Sequence, residues 1–184
     1  MSLLFVNAAF REGSRTKTIA EAYLKKGNKN YKTVDLGNVC VRALNEETLK
    51  TYNQSVAEHD FMDKMFDYAK EFRDAEEIVI AAPFWNYSIP AVLHAYLELV
   101  CSQGVTFDMA ADGTYYSLCK AKKLTYITTA GGFIPAEDHA FGYIKALADV
   151  FWQIPEVNYY KAEGLDIVGN DIEKIIAEVI GSMI

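Results

Sequence analysis

Five short apolar runs, at residues 3–8, 31–36, 77–82, 123–129 and 156–162, alternate with stretches of helical periodicity along the whole chain. The third run constrains the architecture most. Ile78, Val79, Ile80, Ala81 and Ala82 offer no polar face, and such a strand belongs inside a parallel sheet covered on both sides. Helices are expected at residues 18–26, 61–72, 91–102, 138–151 and 170–180, the last capped by Asn170 or Asp171. Phe61, Met65, Tyr68, Ala69 and Phe72 recur at helical spacing, as do Val92, Leu93, Tyr96, Leu97 and Val100. Residues 40–52 lack such a period and are expected to form an excursion before the second helix. Residues 104–120 read as a polar, aromatic-bearing insertion with turn chemistry at Asp112-Gly113.

Strands alternating with helices imply βαβ units with right-handed crossovers. Within 184 residues they fit one domain, residues 1–184, of α/β class. The expected architecture is a flavodoxin-like three-layer fold whose five-stranded parallel sheet runs in the order 2-1-3-4-5. The net charge of −7 argues against nonspecific nucleic-acid binding, which needs clustered Lys and Arg. No apolar run approaches a bilayer span, and the start of the chain shows no basic leader or cleavage site. Neither membrane insertion nor a signal peptide is expected. Cys40, Cys101 and Cys119 are far apart, and His59, His94 and His139 are isolated. That spacing suits free thiols in a reducing cytoplasm, and no metal site is expected. Asp60, Asp63, Lys64 and Asp67 fall on the outer face of the second helix, which reads as a solvated surface.

In the order 2-1-3-4-5 the carboxyl ends of strands 1, 3 and 4 line one crevice, and the loops there carry the most distinctive residues. After strand 1, Gly13-Ser14-Arg15-Thr16 precedes a helix. Unpaired amides, the helix dipole and two hydroxyls suit a terminal phosphate, though a plain helix cap has the same composition. Without Gly-x-Gly-x-x-Gly or a Walker lysine, a dinucleotide or ATP loop is not supported. After strand 3, Pro83-Phe84-Trp85-Asn86-Tyr87-Ser88-Ile89-Pro90 places flat apolar side chains and an amide in a rigid loop. This suits a flat heteroaromatic ligand such as a flavin, or else a turn that caps the core. After strand 4, Thr128-Thr129-Ala130-Gly131-Gly132 lets backbone amides approach a ligand closely, or makes a tight turn.

Ala82-Pro83-Phe84-Trp85-Asn86-Tyr87, then Leu93-His94-Ala95-Tyr96-Leu97-Glu98-Leu99-Val100, then Gly104-Val105-Thr106-Phe107 form a long co-linear series. With Ser14-Arg15-Thr16, Gly131-Gly132 and Ala162-Glu163-Gly164, the chain resembles the FMN-dependent NADH-azoreductases within the flavodoxin-like NAD(P)H:quinone oxidoreductases. By that resemblance Ser14, Arg15 and Thr16 hold the FMN phosphate, Phe84, Trp85, Asn86 and Tyr87 line the isoalloxazine, and Thr129, Ala130, Gly131 and Gly132 contact its far edge. Ala9 and Pro83 complete the expected cofactor-binding set. The chain departs from the family pattern in having Ala9 where a Ser is frequent, Ala130 for a larger polar residue, and Phe133-Ile134 where a His is often near.

The resemblance implies hydride transfer from NADH or NADPH to flavin N5, and from there to a quinone, azo compound or similar acceptor, in a ping-pong scheme. No side chain is then required as acid, base or nucleophile. A homodimer is implied, with Phe107, Tyr115 and Tyr116 as candidate partner or substrate contacts if they do not simply pack over the sheet edge. The alternative is a flavodoxin-like electron carrier docking to a redox partner, which the acidic balance also suits.

Overall fold

Alternation along each strand divides the core in two. The computed structural model describes residues 2–27 and 30–183; Met1, Asn28, Lys29 and Ile184 lie outside them. Strands β1 (Leu3–Asn7), β2 (Tyr31–Asp35) and β3 (Glu77–Ala81) join β6 (Lys123–Thr129) and β7 (Glu156–Ala162) in one parallel sheet. Its order is β2-β1-β3-β6-β7, which is the expected 2-1-3-4-5. Strands β4 (Phe107–Met109) and β5 (Tyr115–Ser117) form a separate antiparallel hairpin.

The helices are α1 (Arg15–Gly27), α2 (Glu46–Glu58), α3 (Asp67–Asp74), α4 (Ala91–Val100), α5 (Phe141–Val150) and α6 (Ile172–Ser182). Leu4, Val6, Ile78, Ile80, Leu124 and Tyr126 face Phe72 of α3, Leu93 and Leu97 of α4 and Ile144 of α5. Leu3, Phe5, Val79 and Ile127 face the other way, against Ile19 and Leu24 of α1 and Ile175 and Ile176 of α6. The period of two along a strand produces this division, and it is why β3 has no polar residue to spare between Ile78 and Ala81.

Two stretches differ from expectation. Residues 46–58, read in part as an irregular excursion, are the helix α2, which buries none of its residues. Its signal is at the ends. Asn45 Oδ1 accepts from the Thr48 amide (2.9 Å), and Thr48 Oγ1 accepts from the Asn45 amide (2.8 Å), forming a reciprocal cap. Residues 61–72 are not one helix. A 3-10 turn at Lys64–Phe66 precedes α3, and Phe61 lies ahead of both. Phe61 packs edge-on against Phe66 and fills the space where Gly104 would carry a Cβ.

In the insertion, Asp112-Gly113 makes the hairpin turn. Asp112 Oδ1 accepts from the Thr114 amide, and Gly113 takes φ +86°. Phe107 is buried, with Tyr115 and Phe151 rings against it, whereas Tyr115 and Tyr116 stay exposed. Asp171 caps α6, and Asn170 turns back to donate to Gly164 O.

Candidate functional site

The parallel ladders continue past the strand ends. Ala8 N–H donates to Ala81 O (2.8 Å), Ala82 N–H to Ile127 O (3.0 Å), Phe84 N–H to Thr129 O (2.9 Å) and Ala130 N–H to Ala162 O (2.9 Å). The segments after β1, β3 and β6 therefore leave the sheet side by side and enclose a cleft of about 260 Å³. Its walls are Ala9, Ser14, Arg15 and Thr16 from the first loop, Pro83, Phe84 and Trp85 from the second, and Thr129, Ala130 and Gly131 from the third. Asn86, Tyr87 and Gly132 stand outside this lining. Phe10, Arg11, Leu165 and Asp166 belong to it without having been singled out in the sequence.

The first loop turns at Gly13 (φ +64°), where the Ser14 amide donates to Arg11 O (3.1 Å). Ser14 then caps α1, its hydroxyl accepting from the Lys17 amide at 3.4 Å. A helix start leaves its leading amides without intrahelical acceptors, and with Lys17 taken by Ser14 these are the amides of Arg15 and Thr16, residues that line the cleft. The side chains of the next two residues are engaged elsewhere. Arg15 Nη1 donates to Leu165 O (3.1 Å) and to Asp166 Oδ1 (2.7 Å). Thr16 Oγ1 shares a buried 2.6 Å hydrogen bond with Thr129 Oγ1, joining the first loop to the end of β6.

The second loop is a miniature hairpin. Trp85 and Ser88 exchange both backbone hydrogen bonds at 2.9 Å, and the two residues between them, Asn86 and Tyr87, have φ of +51° and +63°. Asn tolerates that region, but for Tyr87 it costs about 1–2 kcal/mol. The tip is held by Ser88 Oγ, 3.1 Å from Nε2 of His94 in α4. Phe10 meets Trp85 edge-on at 6.4 Å, joining the first and second loops across the cleft.

The third loop is laced to the segment after β7. Leu165 N–H donates to Ala130 O (3.2 Å), Asp166 N–H to Gly131 O (2.9 Å) and Gly164 N–H to Gly132 O (2.8 Å). A Cβ on Gly131 would lie 2.2 Å from Asp166 Oδ2, so a side chain there would push this carboxylate aside.

Of the lining side chains three are charged, namely Arg11, Arg15 and Asp166. Arg11 makes no side-chain ion pair among the described residues, which leaves its guanidinium available to a ligand. Its signal in the sequence was a lone cation two residues before the Gly13 turn. Leu165 and Asp166 directly follow the Ala162-Glu163-Gly164 pattern, which pointed to that corner. Burial pushes the Cys101 and Cys119 thiols up to about 12, so both stay protonated at neutral pH and offer no thiolate.

Residues 1–183 match the family described as flavodoxin-like fold. A protein of Clostridium acetobutylicum, FMN-dependent NADH:quinone oxidoreductase 2, is 34% identical over 97% of this chain and 94% of its own length. The chain belongs to the flavodoxin-like FMN-dependent NADH:quinone oxidoreductase family. Another member, from Caldicellulosiruptor bescii, is 31% identical over 95% of this chain and 92% of its own. The family fold extends to solved structures. An azoreductase from Bacillus anthracis superposes with a TM-score of 0.85 at 22% identity, covering 100% of this chain and 96% of that one. An FMN-dependent NADH-azoreductase from the same species, in complex with FMN, superposes with a TM-score of 0.82 at 17% identity over the same shares.

Proposed function

We propose that this chain is an FMN-dependent oxidoreductase that takes two electrons from NADH and passes them to quinones, azo compounds or similar small acceptors. In this reading residues 1–184 act as one unit. The observation that carries it is the convergence of three loops, each with a different chemistry, on one cleft at the carboxyl edge of the sheet. The donor set fits FMN. The α1 amides, Ser14 and Arg11 would receive the phosphate. Pro83, Phe84 and Trp85 would flank the ring, with Asn86 and Tyr87 at the strained tip beside it. The backbone of Thr129, Ala130, Gly131 and Gly132 would meet the carbonyl edge. Ala9, a small residue in the cleft lining, would let the first loop lie close to the ribityl chain. FMN supplies the hydride chemistry when bound.

The protein's own contribution is placement and charge. The Ala130 amide is taken by Ala162 O, so the amides of Gly131 and Gly132 are the third-loop donors that would favour negative charge developing at their edge of the cleft. The bond between Thr16 and Thr129 joins the loop that would hold the phosphate to the loop that would meet the ring. Phe10 and Trp85, in edge contact with each other, offer flat apolar surface in the cleft lining against which a planar molecule would rest. One mouth serves donor and acceptor in turn, which gives ping-pong kinetics. The curated relatives carry NADH in their names, and this favours NADH over NADPH here.

Exposed aromatics around the mouth, Phe10, Trp85, Tyr87 and Phe133, support a homodimer that covers it. Three free thiols fit a cytoplasmic protein. No helix among the described residues is long and apolar enough to cross a membrane.

Steady-state assays with both nicotinamides against a quinone and an azo dye test the reading. Parallel double-reciprocal lines and faster turnover with NADH are expected from a yellow preparation. Negligible reduction of the protein by NADH in stopped flow would turn the assignment to an electron carrier.

A further inference from the structure

Arg15 opens α1 at the edge of the cleft, yet its guanidinium is bound to the opposite wall. Nη1 donates to Asp166 Oδ1 at 2.7 Å and to Leu165 O at 3.1 Å. The Asp166 side chain is 70% exposed, yet its place is set by the third loop. Its amide is tied to Gly131 O, and its carboxylate occupies the space a Cβ at Gly131 would need. The absence of a side chain at Gly131 is thus what admits this carboxylate to the cleft wall. Of the three charged lining residues, Asp166 cancels one of two cations.

We infer that Asp166 is a positioning residue that withholds Arg15 from the cofactor phosphate, so that Arg11 and the α1 amides remain its partners. This rests on the FMN reading above and sets how strongly the site prefers a phosphorylated flavin to the bare one. A carboxylate at the rim repels a phosphate directly and also neutralises a neighbouring cation. Both effects act on the charge of the phosphate and neither on the ring system.

The test uses the full chain as wild type, Asp166→Asn, Asp166→Ser and the double variant Arg15→Gln/Asp166→Asn. Dissociation constants for FMN and riboflavin are read from fluorescence quenching. Asn keeps the size and one acceptor of Asp but not its charge, so FMN should bind about tenfold tighter to Asp166→Asn at low salt, with riboflavin within about twofold. The gain should shrink at about 0.5 M salt, where the charges are screened. The double variant should return to within about threefold of wild type, since it removes one charge of each sign.

Unchanged or weaker FMN binding by both single variants, with riboflavin binding preserved, overturns the role of Asp166. So does an equal change for the two flavins, which would mark Asp166 as a wall of the cleft and nothing more. A wild-type chain that takes up neither flavin overturns the FMN reading instead.

Discussion

Thr16 and Thr129 share one hydrogen bond, and both residues are buried beneath the cleft. Thr16→Val keeps the shape and removes the hydroxyl, leaving Thr129 Oγ1 without its partner. A loss of about 1–2 kcal/mol is expected in denaturant unfolding, and Thr16→Ser should restore most of it. Gly131 is a steric case rather than a polar one. Gly131→Ala forces Asp166 aside from 2.2 Å, and with it the Arg15 contact. The group displaced is an exposed, flexible carboxylate, so stability should fall by no more than about 0.5–1 kcal/mol while FMN affinity changes in the same variant, as measured by thermal melts and flavin titration. Loss of neither would mean that the corner yields freely. At this scale the sequence shows which residues gather but not which way they point. Thr16 and Arg15 stand where the pattern expects phosphate ligands, and both lie on the cleft. Their side chains are nevertheless committed to Thr129 and Asp166, partners more than a hundred positions away that no local pattern could nominate.

Between elements, a small charged cluster joins the end of α3 to the segment entering β6. Asp74 receives Arg73 and Lys120, both at 2.8 Å, and these hydrogen bonds hold its carboxyl down at about 2. A carboxyl held below its unfolded value of about 3.9 stabilises the fold above that pH, and the contribution is lost as pH falls toward 2. Asp74→Asn should therefore cost about 0.5–1 kcal/mol at pH 7, the size of an exposed pair. The gap between wild type and variant should narrow as pH falls from about 4 and close only below about pH 2, where the carboxyl is protonated in both states, a trend that parallel thermal melts across pH can check. A gap that did not narrow between about pH 4 and pH 2 would assign the effect to packing. Helices with a buried stripe were legible because the stripe repeats at helical spacing. Helix α2 was not, because it has no buried residue to repeat. Its marks are polar, among them the Asn45–Thr48 cap, Glu46 and Glu47 in the first turn and the Glu46–Lys50 pair, signals that a search for hydrophobic period passes over. The 3-10 turn ahead of α3 was hidden for the opposite reason, since Phe61 and Met65 keep helical spacing while packing around Gly104 and Phe66.

The whole molecule presents a cleft whose three loops carry exposed aromatics at their rims. Phe10 comes from the first loop, Trp85 and Tyr87 from the second and Phe133 from the end of the third, with Tyr87 66% and Phe133 72% exposed. Such side chains beside a site are costly to leave in water and are usually covered by another surface. A second copy of the chain would cover them and roof the cleft at once. The expected mass in light scattering is then twice the 20.6 kDa of one chain. The paired substitution Tyr87→Lys with Phe133→Lys places charge on two rim residues outside the cleft lining, and it also removes the ring contact of Tyr87 with Phe84 of the wall. It should shift the protein toward monomer and raise the quinone KM about tenfold, with FMN still bound, because desolvated charge at an interface opposes association. Two other outcomes would separate assembly from catalysis. A monomeric wild type with full turnover would mean that one chain completes the site and that the aromatic rims serve the acceptor itself. A dimer that survives both lysines would move the interface elsewhere on the molecule, and the KM alone would then report what the rims contact.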